Sequence, residues 1–196
     1  MKKILCSLLA CVMLLGNSAV AFAAESTPAS VPKDNDDCIV VDFNEMDMTK
    51  PFEISTQYVN ERGETITIGA IYTPNEDWEE ITPMWSHDYE ATVGTWTSYF
   101  DGSIIDGMSY QYDVSRSGSH WKISNARNFL AHCILSTVRD KQLTINRATS
   151  TSSSPAEVMG ICTVDVVDTP IGHVMSMDAW VKTTITDSGT LTVSGN

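Results

Sequence analysis

The chain has 196 residues, 12 lysines and arginines against 25 acids, and a formal net charge of −13. A balance this acidic repels phosphate backbones, whose binders need Lys and Arg, so no nucleic-acid partner is expected, and anionic lipid surfaces are disfavoured too. The length suits one ordinary domain able to bury a core without disulfide staples.

Lys2 and Lys3 precede an apolar run from Ile4 to Leu15, and Ala21-Phe22-Ala23 sets small residues where a signal peptidase reads. Residues 1–23 therefore read as a signal peptide, and the protein is expected to be secreted and extracellular. Spanning a bilayer takes roughly 20 apolar residues, and Asn17 and Ser18 break this run too early. A rival reading makes Leu8-Leu9-Ala10-Cys11 a lipoprotein box. It would shorten the apolar segment to Ile4–Ala10, near the lower limit for export, and simple secretion is preferred. No second apolar segment follows, so no transmembrane anchor is expected.

Residues 24–37 are polar, proline-interrupted and acidic, and are expected to form a disordered leader. An acidic β/loop segment follows at 38–90, and a nearly neutral β-sandwich domain at 91–196. The charge supports that division: 16 acids to 3 bases over 24–90, but 9 to 7 over 91–196. Cys38 to Phe43 is a β-branched run. Glu53 to Val59 and Thr65 to Tyr72 flank Asn60-Glu61-Arg62-Gly63, which predicts a hairpin with Gly63 at positive φ. Pro74 to Asp88 is irregular and acidic.

Further strands are expected at Ala91–Phe100, at Met108–Val114 with its strict alternation, and at Gln142–Asn146. Val158–Val167 and Val174–Ile185 form a long hairpin, and Asp187-Ser188-Gly189 turns into a last strand at Thr190–Ser194. The fold expected is all-β, an antiparallel β-sandwich. Between those strands Ala126, Phe129, Leu130, Cys133 and Ile134 follow helical spacing behind Ser124, so periodicity favours one short helix near 125–136 while the neighbouring strands favour a sheet element, and both readings stay open. Read as a strand, the same stretch puts Phe129, Ala131, Cys133 and Leu135 on one face.

The stretches Met108-Ser109-Tyr110-Gln111-Tyr112-Asp113-Val114, Ile123-Ser124-Asn125-Ala126-Arg127-Asn128 and Gly189-Thr190-Leu191-Thr192-Val193 carry a resemblance. In this order the last hundred residues resemble small secreted proteins of Gram-positive bacteria, a domain-of-unknown-function family. The resemblance implies a β-sandwich and export, and it transfers no functional residue.

Export removes Cys6 and Cys11 and leaves Cys38, Cys133 and Cys162, an odd number. Cys133 and Cys162 are a candidate disulfide, and the alternative is three small buried hydrophobes. No Cys-x-x-Cys, His-Glu-x-x-His or Gly-x-Ser-x-Gly occurs, so catalysis, metal and cofactor are not expected. A nucleophile such as Cys162 with His120 or His173 would have to assemble in space. The strongest candidate ligand site is the segment Trp78 to Tyr89. There Trp78 and Trp85 supply rings for stacking, while Glu79, Glu80 and Asp88 accept hydrogen bonds from sugar hydroxyls or pair with a cation. An extracellular glycan or protein is the expected class of partner. The leading expectation is thus a non-catalytic binding or structural protein. A secreted hydrolase is the second reading. A weak calcium-binding sandwich, with oxygen donors at Asp34-Asn35-Asp36-Asp37 or Asp42-x-Asn44-Glu45-x-Asp47, is the third.

Overall fold

The computed structural model describes residues 37–61, 63–75, 91–102, 107–133, 136–168 and 173–196. The signal peptide expected at 1–23 and the leader expected at 24–37, Asp37 excepted, lie outside the described residues. Ten strands carry the described chain. The first five are β1 (Cys38–Asp42), β2 (Phe52–Val59), β3 (Thr65–Pro74), β4 (Ala91–Asp101) and β5 (Met108–Ser117). The rest are β6 (His120–Ala131), β7 (Ser136–Arg147), β8 (Ala156–Asp168), β9 (His173–Ile185) and β10 (Thr190–Gly195).

The strands form two five-stranded antiparallel sheets, ordered β1-β10-β9-β8-β7 and β2-β3-β4-β5-β6. Each sheet is a meander of chain neighbours, apart from β1, which pairs with the last strand through Cys38↔Ser194 to Asp42↔Thr190. The segment 38–90 thus supplies β1 to one sheet and β2 and β3 to the other. β1 lies against β2 and β6 against β7, so the strands follow chain order round the molecule like a flattened up-and-down circuit.

Between the sheets sits an apolar core. Alternation along β3, β5 and β10 sends Ile66, Ile68, Tyr110, Tyr112, Val114, Leu191 and Val193 inward, as a half-buried strand requires. One end of the core is aromatic: Phe43, Phe52, Tyr72 and Trp96 meet with ring centroids 5.0–5.6 Å apart, and Trp121 packs 4.8 Å from Phe43.

The middle holds four buried hydroxyls. Tyr110 donates to the Val158 carbonyl at 3.3 Å and lies 2.8 Å from Thr183 Oγ1. Thr183 is 2.8 Å from Ser98 Oγ, which is 3.1 Å from the Tyr112 hydroxyl. Each hydroxyl has one proton, and the Val158 carbonyl can only accept. The protons therefore point one way: Tyr112 to Ser98, Ser98 to Thr183, Thr183 to Tyr110, Tyr110 to Val158. All four groups are satisfied, which is what burial demands, and the chain links the two sheets.

The helix expected near 125–136 is not formed. Residues up to Ala131 are strand, and no helix occurs among the described residues. Register explains the misreading. Asp113 pairs with Ser124, Gln111 with Arg127 and Ser109 with Leu130, so β6 spends three residues for every two on β5, twice in succession. Each extra residue is a bulge, with Asn125 at φ 51° and Asn128 at φ 55°. A bulge shifts the inward face by one, so Ile123, Ala126 and Phe129 all meet the core at a spacing of three. That spacing imitates a helix. The Gly63 expectation holds: φ is 77°, and its N–H donates to the Asn60 carbonyl at 2.9 Å.

Candidate functional site

Unequal strand lengths open one end of the sandwich. β10 pairs with β9 only from Leu191↔Ile185 to Gly195↔Val181, so β9 runs on past the end of its neighbour. Beneath that overhang, facing the β2–β3 hairpin, lies a cavity of about 490 Å³. This falls in the range of small-molecule sites, roughly 300–1,000 Å³.

Both sheets build its wall. Ile66 and Phe100, both buried, form an apolar floor, and Ala179 and Met177 close it from β9. Glycines let these walls approach: a Cβ at Gly195 would stand 2.7 Å from the Phe100 ring, and one at Gly102 would stand 2.7 Å from Ile66 Cδ1. Around the floor stand the carboxylate residues Asp37, Glu61, Glu64 and Asp178, and no Lys, Arg or His among the described residues lines the cavity. Asp37 immediately precedes Cys38, whose partner is Ser194, which sets it across from Gly195.

The polar lining is rich in acceptors. Tyr58 spends its proton on the Gly195 carbonyl at 3.2 Å. Asn60 Nδ2 donates to Glu64 Oε2 at 2.8 Å, and Glu64 N–H donates back to Asn60 Oδ1 at 3.0 Å, which ties the two ends of the β2–β3 turn together at the mouth. Burial, and then the charge of Asp37, push the Tyr58 phenol above its ordinary pKa, so this hydroxyl stays neutral.

A second constellation contains hydrolase residue types. His120 Nδ1 lies 2.7 Å from Asp187 Oδ1, and Ser150 Oγ donates to that same oxygen at 2.8 Å. A serine nucleophile has to meet the other ring nitrogen, where a base can take its proton. Here the serine is bonded to the carboxylate, and its oxygen also accepts the Trp121 backbone N–H at 2.9 Å. The group is a clamp joining the start of β6, the loop after β7 and the β9–β10 turn. Cys162 is no better as a nucleophile. It is buried, and burial first, then Cys133, raises its thiol pKa, the reverse of activation.

The outer face of β4–β6 carries a polar knot in which Asp113 accepts from Thr95 at 2.8 Å, Asn125 at 2.7 Å and Arg127 at 2.9 Å. Burial works to raise the Asp113 pKa, but these bonds outweigh it and hold the carboxyl below its ordinary value.

The residues expected to bind ligand, Trp78, Glu79, Glu80, Trp85 and Asp88, lie outside the described residues. Pro74 and Ala91, which flank their segment, stand at the end of the sandwich away from the cavity. Cys133 and Cys162, the candidate disulfide, are both buried thiols in the structure. Of the oxygen donors considered for calcium, Asp42 accepts from Asn44 N–H at 2.9 Å and Asp47 pairs with Lys50 at 3.2 Å. Each carboxylate thus serves its own turn. Among the described residues no three His, Cys, Asp or Glu side chains converge as metal ligands.

No family model matches the chain, and no curated protein matches it. A solved structure of a hypothetical protein from Listeria monocytogenes EGD-e is similar at 19% identity and a TM-score of 0.40, covering 74% of this chain and 100% of that chain. Among the described residues no helix is long and apolar enough to cross a membrane.

Sequence reasoning did not assemble the cavity. The acidity of residues 24–90 and the turn at Asn60–Gly63 were visible signals for one wall. The facing wall comes from β9, over a hundred residues later, and no local pattern announces it.

Proposed function

We propose that the protein is an exported, non-catalytic binding protein whose ligand occupies the end cavity. The cavity itself carries the reading: it is concave, built from both sheets and framed by the β2–β3 hairpin, whose Asn60 and Glu64 are hydrogen-bonded to each other. The lysine-led apolar run before Ala23 supports export. Two observations favour binding over hydrolysis. Ser150 is bonded to Asp187 and not to His120, and the Cys162 thiol is buried with a raised pKa.

The test is a paired screen of the purified protein. A fragment set is followed by NMR at the Ile66 and Ala179 methyls, and a panel of glycans and peptides is assayed for turnover. Shifts at those methyls without turnover are expected. Turnover abolished by a single acid or histidine substitution in a folded variant would instead establish the hydrolase. Sequencing the N-terminus of exported material should find Ala24 first.

A further inference from the structure

We infer that the open edge of β2 is an interface, on which a second copy of this chain adds its own β2 in antiparallel register. The inference stands apart from the cavity reading and does not depend on what fills that space. Comparison of the four sheet edges singles this one out.

Sheet edges invite strand addition, and folds guard them with short strands, bulges and charge. β1 is short, at five residues. β6 carries the two bulges at Asn125 and Asn128. β7 shifts register twice, holds Asp140 at φ 52° and bears Arg139, Asp140 and Lys141 in succession. β2 has none of these guards. Its eight residues pair with β3 without a shift, include no Lys, Arg or Pro, and carry a single charge, at Glu53.

The ladder shows what the open side offers. Asn60 N–H donates to the Glu64 carbonyl at 2.9 Å, which fixes its phase. Residues of an antiparallel strand alternate, so Phe52, Ile54, Thr56 and Tyr58 bond to β3. Glu53, Ser55, Gln57 and Val59 turn their N–H and C=O groups away from it. β1 lies against β2 from the other sheet without pairing to it, and among the described residues no strand takes up that side.

A second β2 fits because the strand complements itself. With a two-fold axis at Thr56, Glu53 faces Val59 of the second copy and Ser55 faces Gln57, each pair closing two main-chain hydrogen bonds. Every outward-turned residue is used, Ser55 and Gln57 can also bond through their side chains, and Glu53 is kept away from its own copy. On the inner side Ile54, packed against the core, comes beside Tyr58 of the second copy. Val59, 66% exposed in the single chain, gains cover from the Glu53 methylenes. The net charge of −13 on each chain opposes this association, which should therefore strengthen as salt screens it.

The experiment is sedimentation equilibrium of the purified protein from about 1 µM to about 1 mM, in about 0.15 M and about 0.5 M NaCl. The wild type should approach twice the mass of the chain, at lower concentration in the higher salt. Gln57→Pro removes an open-side N–H and no β2–β3 bond, while S55K/Q57K sets lysines of the two copies opposite each other and leaves the main chain intact. Both should keep a cooperative melting transition and weaken association at least ten-fold; if the proline unfolds the strand, the lysine variant carries the test. A wild type monomeric throughout would overturn the inference, and so would a dimer unchanged in a folded variant, since its interface would lie elsewhere. A monomer whose Glu53, Ser55, Gln57 and Val59 amide signals shift on adding a Thr-Val repeat peptide would overturn the second copy as occupant and give the edge to a foreign strand.

Discussion

Thr183 occupies the middle of the buried hydroxyl chain, with Ser98 on one side and Tyr110 on the other. Tyr112 only begins the chain. Replacing Thr183 by Val keeps the volume but takes the acceptor from Ser98 and the donor from Tyr110, so it should cost about 2 kcal/mol. Tyr112→Phe leaves Ser98 still able to donate and should cost about 1 kcal/mol or less. Urea unfolding of the two variants checks this order. At the surface, bonds from His120 first and then Ser150 hold the Asp187 carboxyl below its ordinary pKa, against a smaller opposing effect of burial. The folded pKa is the lower one, so the stability these bonds contribute is present above the unfolded value, about 3.9, and disappears as pH falls through the folded value. Calorimetry from about pH 5 downward should therefore show a steeper loss of melting temperature in the wild type than in D187N.

β6 shows how one strand can defeat a periodicity argument. Its bulges at Asn125 and Asn128 occupy left-handed backbone that Asn tolerates and most residues do not. Asn128→Ala should destabilise by about 1 kcal/mol, whereas Asn128→Gly, which adopts positive φ freely, should change stability by about 0.5 kcal/mol or less. The bulges also turn Phe129 onto β8, where only a glycine fits: a Cβ at Gly160 would stand 2.7 Å from the Phe129 ring. Gly160→Ala should cost about 1–3 kcal/mol through overpacking, and Phe129→Leu in the same molecule should recover part of it. Chemical denaturation of the single and double variants measures the coupling. The helix expectation failed here because spacing reports which residues share a face. It does not report whether a 3.6-residue turn or a pair of bulges put them there.

The circuit of strands closes where Cys38 meets Ser194, so the molecule is complete only once both termini of the fold are present. Ile39 and Val41 are buried, and removing residues 37–42 uncovers the edge of β10 and opens the core. A chain beginning at Phe43 should lose the single cooperative melting transition, as calorimetry would show. The same closed core sets an alkaline limit. Burial pushes the phenol of Tyr72 up to about 12 and those of Tyr110 and Tyr112 well above their ordinary value. Phenols are neutral below their pKa, so these residues contribute stability that is fully present below the unfolded value of about 10 and is lost as pH rises toward the folded values. Melting temperature should fall steeply above about pH 10, and absorbance titration of the folded protein should leave part of its six tyrosines un-ionised until it unfolds.

Alternation along Met108–Val114, the turn residues Asn60–Gly63 and Asp187–Gly189, and the β-branched runs were enough to read an all-β sandwich from the chain alone. Period-two patterning and turn chemistry are local, and each strand carries its own copy of both. Pairing across the molecule is another matter. That β1 closes on β10, that the strand after Ser124 bulges twice, and that β9 overhangs its neighbour are outcomes of register between distant segments. The cavity depends on all of them except the bulges. Its carboxylates at Asp37, Glu61 and Glu64 were legible as acids in an acidic segment, and Met177 and Ala179 as part of a long strand. Only the packing of two sheets, with one strand shorter than the next, puts that charge over an apolar floor.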